Sequence, residues 1–116
     1  MAVLQIVPNV NAPDPVALAA FWRKLLALDP VMDHGWIVTL AGGGRQQAQL
    51  SFASEGGAGT PIPVLSIEVD DLDDCLARAR AEGAPITHGP VTEDWGVRRF
   101  FLRDPAGNLV NILSHC

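Results

Sequence analysis

The chain has no tyrosine, only two cysteines, and eight lysines and arginines against thirteen aspartates and glutamates in 116 residues. Cys75 and Cys116 cannot make the disulfide framework that staples small secreted domains. The formal net charge of -5 and pI near 4.9 argue against nucleic acid as a partner, because neutralising phosphates takes a basic face. No apolar run reaches the ~20 residues needed to cross a bilayer, so no membrane partner is expected. The opening Met-Ala-Val-Leu-Gln-Ile-Val lacks a positive n-region and is broken by Pro8 and Asn9, so the expected location is cytoplasmic rather than secreted. What remains is a chain with 48% hydrophobic and 18% charged residues, enough to bury a core and of the right length for a single domain, 1–116.

Periodicity organises it. Residues 3–10 alternate Val3, Gln5, Val7 and Asn9 against Leu4 and Ile6, the pattern of a strand whose Leu4/Ile6 face should meet a helix. Asp14-Pro15 can open a helix as N-cap and first helical residue, and Leu18, Phe21, Trp22, Leu25 and Leu28 recur near helical spacing until Asp29-Pro30. A short strand near 30–32 and two strands over 35–41 and 45–53 follow, with Gly42-Gly43-Gly44 as the hairpin between the last two. Residues 54–63 read as a loop. The pattern then repeats. Leu65, Ile67 and Val69 make an apolar strand face, and Asp70-Asp71 caps a helix with Leu72, Cys75, Leu76 and Ala79 on one side, ended by Gly83. Three strands follow over 86–92, 97–103 and 108–114. Two strand–helix–strands modules, about 1–57 and 62–116, suggest an internal duplication of α+β type.

The run Trp95-Gly96-Val97-Arg98-Arg99-Phe100-Phe101-Leu102-Arg103-Asp104-Pro105-Ala106-Gly107-Asn108-Leu109-Val110-Asn111-Ile112 resembles the closing hairpin of the glyoxalase/bleomycin-resistance/extradiol-dioxygenase (vicinal oxygen chelate) superfamily. The opening strand with Asp14, Phe21 and Trp22, and the segment Val64 to Asp71, are similar to the starts of its two modules. The resemblance implies two tandem βαβββ modules forming a curved, half-barrel sheet, commonly in a homodimer, with a ligand cleft on the concave face. It also implies a divalent metal held by His, Gln or Glu on the first strand of each module and Glu on the last. Those positions fall here on Val7, Val64 and Asn111. Valine offers no donor, and Gln5, one pleat from Val7, is a poor substitute, so no metal and no cofactor are expected.

The face register nonetheless suits a ligand pocket, apolar with a few oriented polar groups. Its candidate contacts are Gln5, Val7, Trp36, Val64, Glu68, Trp95, Arg99, Phe101, Asn111 and Leu113. Glu68 and Arg99 either pair with each other or touch the ligand, Arg99 suiting an anionic group. Asn111 either touches the ligand or satisfies backbone at a strand bend. Trp36 and Trp95 lie where they would overhang the cleft or serve as core or dimer contacts, whereas Trp22 belongs to the core. Gln47, Gln49 and Ser51 read as a solvated face. Of the histidines, His34 lies in a turn, His88 in a strand, and His115 follows Leu113 on its face; none has a partner at metal-ligand spacing. Cys75 is an inert core thiol, and no nucleophilic triad or phosphate loop is apparent. The expected function is sequestration or carriage of a small organic ligand. The alternative is a lyase, isomerase or dioxygenase-type enzyme using Glu68 as acid/base or an unorthodox metal site. An interaction module is a third reading with little to favour it.

Overall fold

The computed structural model describes residues 1–116, and the order β-α-β-β-β occurs in it twice, an α+β arrangement. The strands and helices are β1 (Val3–Asn11), α1 (Pro15–Leu26), β2 (Asp29–Asp33), β3 (Ile37–Gly43) and β4 (Gln47–Ala53), then β5 (Leu65–Val69), α2 (Leu72–Ala81), β6 (Ile86–Glu93), β7 (Val97–Arg103) and β8 (Leu109–His115). They form two compact units. The first is Val7–Ile62; the second is Pro63–Cys116 together with Met1–Ile6.

In the first unit α1 starts where Asp14, in extended conformation, accepts a hydrogen bond from the Ala17 N–H at 3.2 Å, with Pro15 following. That satisfies one of the donors a helix start leaves unpaired. Antiparallel β2, β3 and β4 continue to β1, which pairs parallel with β4 at Asn9↔Ser51. Ala12, Ala19, Val38, Leu40 and Phe52 make its core, with Trp22 stacked on Phe52 at 6.2 Å. The glycine run is not simply the hairpin turn: β3 continues through Gly43, and a Cβ on Gly42 would come within 2.8 Å of Leu28 Cδ2. Gly42 therefore lets Leu28 close on the strand.

Two sequence expectations fail along β1 and α1. Phe21 and Leu25 are 56% and 59% exposed, because α1 turns only its Leu18/Ala19/Trp22 side to the sheet. Leu4 and Ile6 are likewise exposed; of that strand face only Val10 and Ala12 are packed into the α1 core. Helical or strand period says which residues share a face, not whether anything covers it.

In the second unit the strand order is β5-β8-β7-β6, parallel between β5 and β8 and antiparallel elsewhere. Asp71 caps α2 by accepting from the Asp74 N–H at 3.0 Å, and Gly83 supplies the positive φ, 72°, just beyond its end. Val69, Leu72, Leu76, Ala79, Phe100, Val110 and Ile112 close the core, with Leu65, Ile67 and Leu102 packed against it as the alternation requires. Burying Phe100 completely contributes roughly 1.5–3 kcal/mol. Cys75 is half-buried beside this core, and burial, reinforced by Asp74, pushes its thiol pKa up, as suits an inert residue. The β7–β8 turn is organised by Asp104, whose carboxylate accepts from the Asn108 side chain and from the Asn108 and Ala106 N–H groups.

Candidate functional site

Alternation along β7 sets the site. Phe100 and Leu102 join the α2 core, and Arg98 reaches Asp73 on α2 at 2.9 Å. Val97, Arg99 and Phe101 therefore point to the other face of the sheet. Register extends that face across the unit in two rows: Ser66, Asn111, Phe101 and His88, then Glu68, Leu113, Arg99 and Val91. Next to the second row lie Glu93, Val97 and His115.

Arg99 is only 2% exposed. Its Nη2 lies 3.5 Å from Glu93 Oε2, and its guanidinium carbon lies 4.9 Å from the Trp95 ring centre and 4.6 Å from that of Phe101. Burial lowers its pKa from the usual arginine value, partly offset by Glu93, and it stays a cation. His88 Nε2 sits 3.1 Å from the other Glu93 oxygen, with its ring 5.2 Å from Phe101. The expected alternative of a Glu68–Arg99 pair is thus wrong: Arg99 takes Glu93, and Glu68 Oε2 takes His115 Nδ1.

Glu93 and His88 are what the sequence reading missed. Simple alternation along β6 is broken by irregularities between Ile86 and His88 and between His88 and Val91. Gly89, at φ 73° and with the Arg99 carbonyl oxygen 2.4 Å from where its Cβ would be, forms part of that break. A Gly-Pro pair inside a strand pattern was the available signal for such a bulge.

Asn111 is buried and donates from Nδ2 to Ser66 Oγ at 3.1 Å, a side-chain contact rather than the backbone role first considered, while its Oδ1 is buried without a partner. Leu113 is half-buried between Glu68 and Arg99 in register. The candidates outside this cluster fare differently. Gln5 is exposed, Val64 is 45% exposed and precedes β5, and Val7 is buried. Trp36 is half-buried in the first unit, stacked with His34 at 6.3 Å. Ser51 is not solvated: it is buried and shares a 2.7 Å hydrogen bond with Thr39.

These residues do not fit a divalent cation. Val7 and Val64 bear no donor, Asn111 offers one neutral oxygen, and no group of three His, Cys, Asp or Glu side chains converges to hold a metal. The arrangement instead combines an aromatic wall, a buried ion pair, and a carboxylate oriented by a histidine.

Residues 3–112 match the model of the Glyoxalase/Bleomycin resistance protein/Dioxygenase superfamily, and the chain belongs to that superfamily. Among individual proteins, it is 25% identical over 120 residues to a bleomycin resistance protein of Klebsiella pneumoniae, covering 96% of this chain and 92% of that one. Its fold is similar to that of a protein described as the NAD-dependent benzaldehyde dehydrogenase of Legionella pneumophila, with a TM-score of 0.77, 16% identity, and 97% and 100% of the two chains covered. It is also similar to a single-residue variant of methylmalonyl-CoA epimerase of Streptomyces coelicolor, solved with 2-nitronate-propionyl-CoA, at TM-score 0.71 and 15% identity over 99% of each chain. At those identities the structural likenesses speak for the fold alone. No helix is long and apolar enough to cross a membrane.

Proposed function

We propose that this protein binds and sequesters, or carries, a small organic molecule on the second unit's sheet face, without the metal that other superfamily members use. The observation that carries this reading is Arg99, 2% exposed with its guanidinium over the rings of Trp95 and Phe101, on a face that also holds Glu68 and Asn111. Burying charged and polar groups costs free energy, and a plain core has no use for such a set. The donor-free Val7 and Val64 at the positions the resemblance assigns to metal ligands support the absence of a metal step. The likeness to a bleomycin resistance protein agrees with a binding role. We place the protein in the cytoplasm, as a homodimer; the exposed Phe21 and Leu25 of α1 are an apolar pair that a second copy would cover.

The test is tryptophan fluorescence of the purified protein against a panel of anionic, neutral and cationic aromatic compounds, with elemental analysis after dialysis. Saturable quenching without turnover, and no stoichiometric metal, is expected. Silence from every class, or one retained Ni, Zn, Fe or Mn per chain, would overturn the reading.

One observation favours an enzyme as the second reading. His115 Nδ1 bonded to Glu68 leaves Nε2 turned outward, the arrangement of a carboxylate-oriented general base. If turnover of a panel compound is found, Glu68→Gln should abolish it.

A further inference from the structure

We propose that the ligand presents a planar N–H donor group, an amidinium or guanidinium on an aromatic ring, to Glu68 and to the Oδ1 of Asn111. This rests on the small-molecule-binding reading and names the class of ligand within it. The face leaves two acceptors to a ligand, the Oδ1 of Asn111 and one oxygen of Glu68. The Arg99 cation is answered by Glu93, His88 Nε2 lies against the same carboxylate, and Asn111 Nδ2 is given to Ser66. His115 Nδ1 goes to Glu68 Oε2.

What is left accepts hydrogen bonds. Asn111 Oδ1 is buried and has no partner, and Asn111 as a whole is only 7% exposed. Glu68 has used one of its two carboxylate oxygens, and its side chain is 15% exposed. Ser66 pairs with Asn111 in register, and Glu68 lies one pleat, about 7 Å, further along β5. A buried acceptor left without a partner is destabilising, and a carboxylate accepts most strongly from a charged, forked donor. An anionic ligand at these two acceptors would be repelled by the Glu68 carboxylate and would give Asn111 Oδ1 no donor. The net charge of -5 draws cations toward the protein as well. Trp95 and Phe101 supply aromatic surface on the same face.

Three probes of one shape separate the possibilities: benzamidine, benzamide and benzoate, titrated calorimetrically against the intact chain. Benzamidine should bind at least tenfold more tightly than benzamide, and benzoate should show no binding. Glu68→Gln should erase the benzamidine preference, bringing the benzamidine and benzamide affinities within about twofold of each other. Glu68 is partly exposed, so this variant should fold even if Asn111→Leu, which should weaken both benzamidine and benzamide, does not. Equal binding of all three, or a preference for benzoate, overturns the donor assignment and leaves small-molecule binding standing. Quenching by other members of the fluorescence panel with none from benzamidine also overturns this inference alone. Silence from the panel and all three probes overturns both.

Discussion

The two units share a plan and differ in what they do with it. Each has a helix capped by an aspartate, Asp14 or Asp71, and each closes its helix-side core with a phenylalanine of zero exposure, Phe52 or Phe100. The sheet faces turned away from the helices are unlike. In the first unit the buried polar residues Thr39 and Ser51 hydrogen-bond each other at 2.7 Å, and Val7 is buried. In the second the corresponding face carries Glu68, Arg99, Glu93, His88 and Asn111, with an acceptor left over. The helices differ in the opposite sense. α1 shows solvent Phe21 and Leu25, whereas α2 commits its outer side to ion pairs from Asp73 to Arg98 and Asp74 to Arg78. The lesson is that one scaffold can be kept twice while polar chemistry is concentrated in one copy and apolar outer surface in the other.

The largest expected effects test whether the scaffolds are equivalent. Phe52→Ala and Phe100→Ala should each cost about 3–5 kcal/mol in denaturant unfolding. A clear inequality between them would break the comparison at its base. Next comes the polar difference. Glu93→Gln, which leaves Arg99 buried beside an uncharged amide, should destabilise by about 3 kcal/mol, against about 1 kcal/mol for Ser51→Ala in the self-satisfied pair. Equal costs would mean that the second face is no more charged in effect than the first. Removing the caps, Asp14→Ala and Asp71→Ala, should cost about 1 kcal/mol each, read from the same unfolding curves.

The smallest effect concerns Asp104, which lies only in the second unit. Hydrogen bonds from the Asn108 side chain, then from backbone N–H groups, hold its carboxyl below the usual value of 3.8. A carboxylate whose folded pKa is depressed stabilises the fold fully above its unfolded value. That contribution is lost as pH falls below 3.8 toward the lower folded value. Asp104→Ala should therefore flatten the acid limb of a stability-versus-pH profile. An unchanged limb would show that the turn does not depend on the charge.

Much of this was legible in the sequence because it is local. Asp14-Pro15 and Asp71 announce helix starts, and the period-two alternation of Val97 to Leu102 correctly separates Arg99 and Phe101 from Phe100. The Asp104–Asn108 turn declares itself by residue type. The pairings were not legible. Arg99 meets Glu93 across a hairpin whose outer strand carries irregularities on both sides of His88, so counting by twos does not bring Glu93 to it and leaves Glu68 or a ligand as its partner. Nor can periodicity say that Leu4, Ile6, Phe21 and Leu25 stay uncovered, since that depends on what tertiary structure brings near.

The account stands most directly on where a bound molecule sits. Amide and side-chain NMR shifts, followed while an aromatic compound that quenches the tryptophans is titrated in, would locate it. The account predicts shifts at the Trp95 indole, the Arg99 guanidinium, the Asn111 amide and the His115 ring, with Thr39 and Ser51 unmoved. Shifts confined to Trp36, Thr39 and Ser51 of the first unit would contradict it.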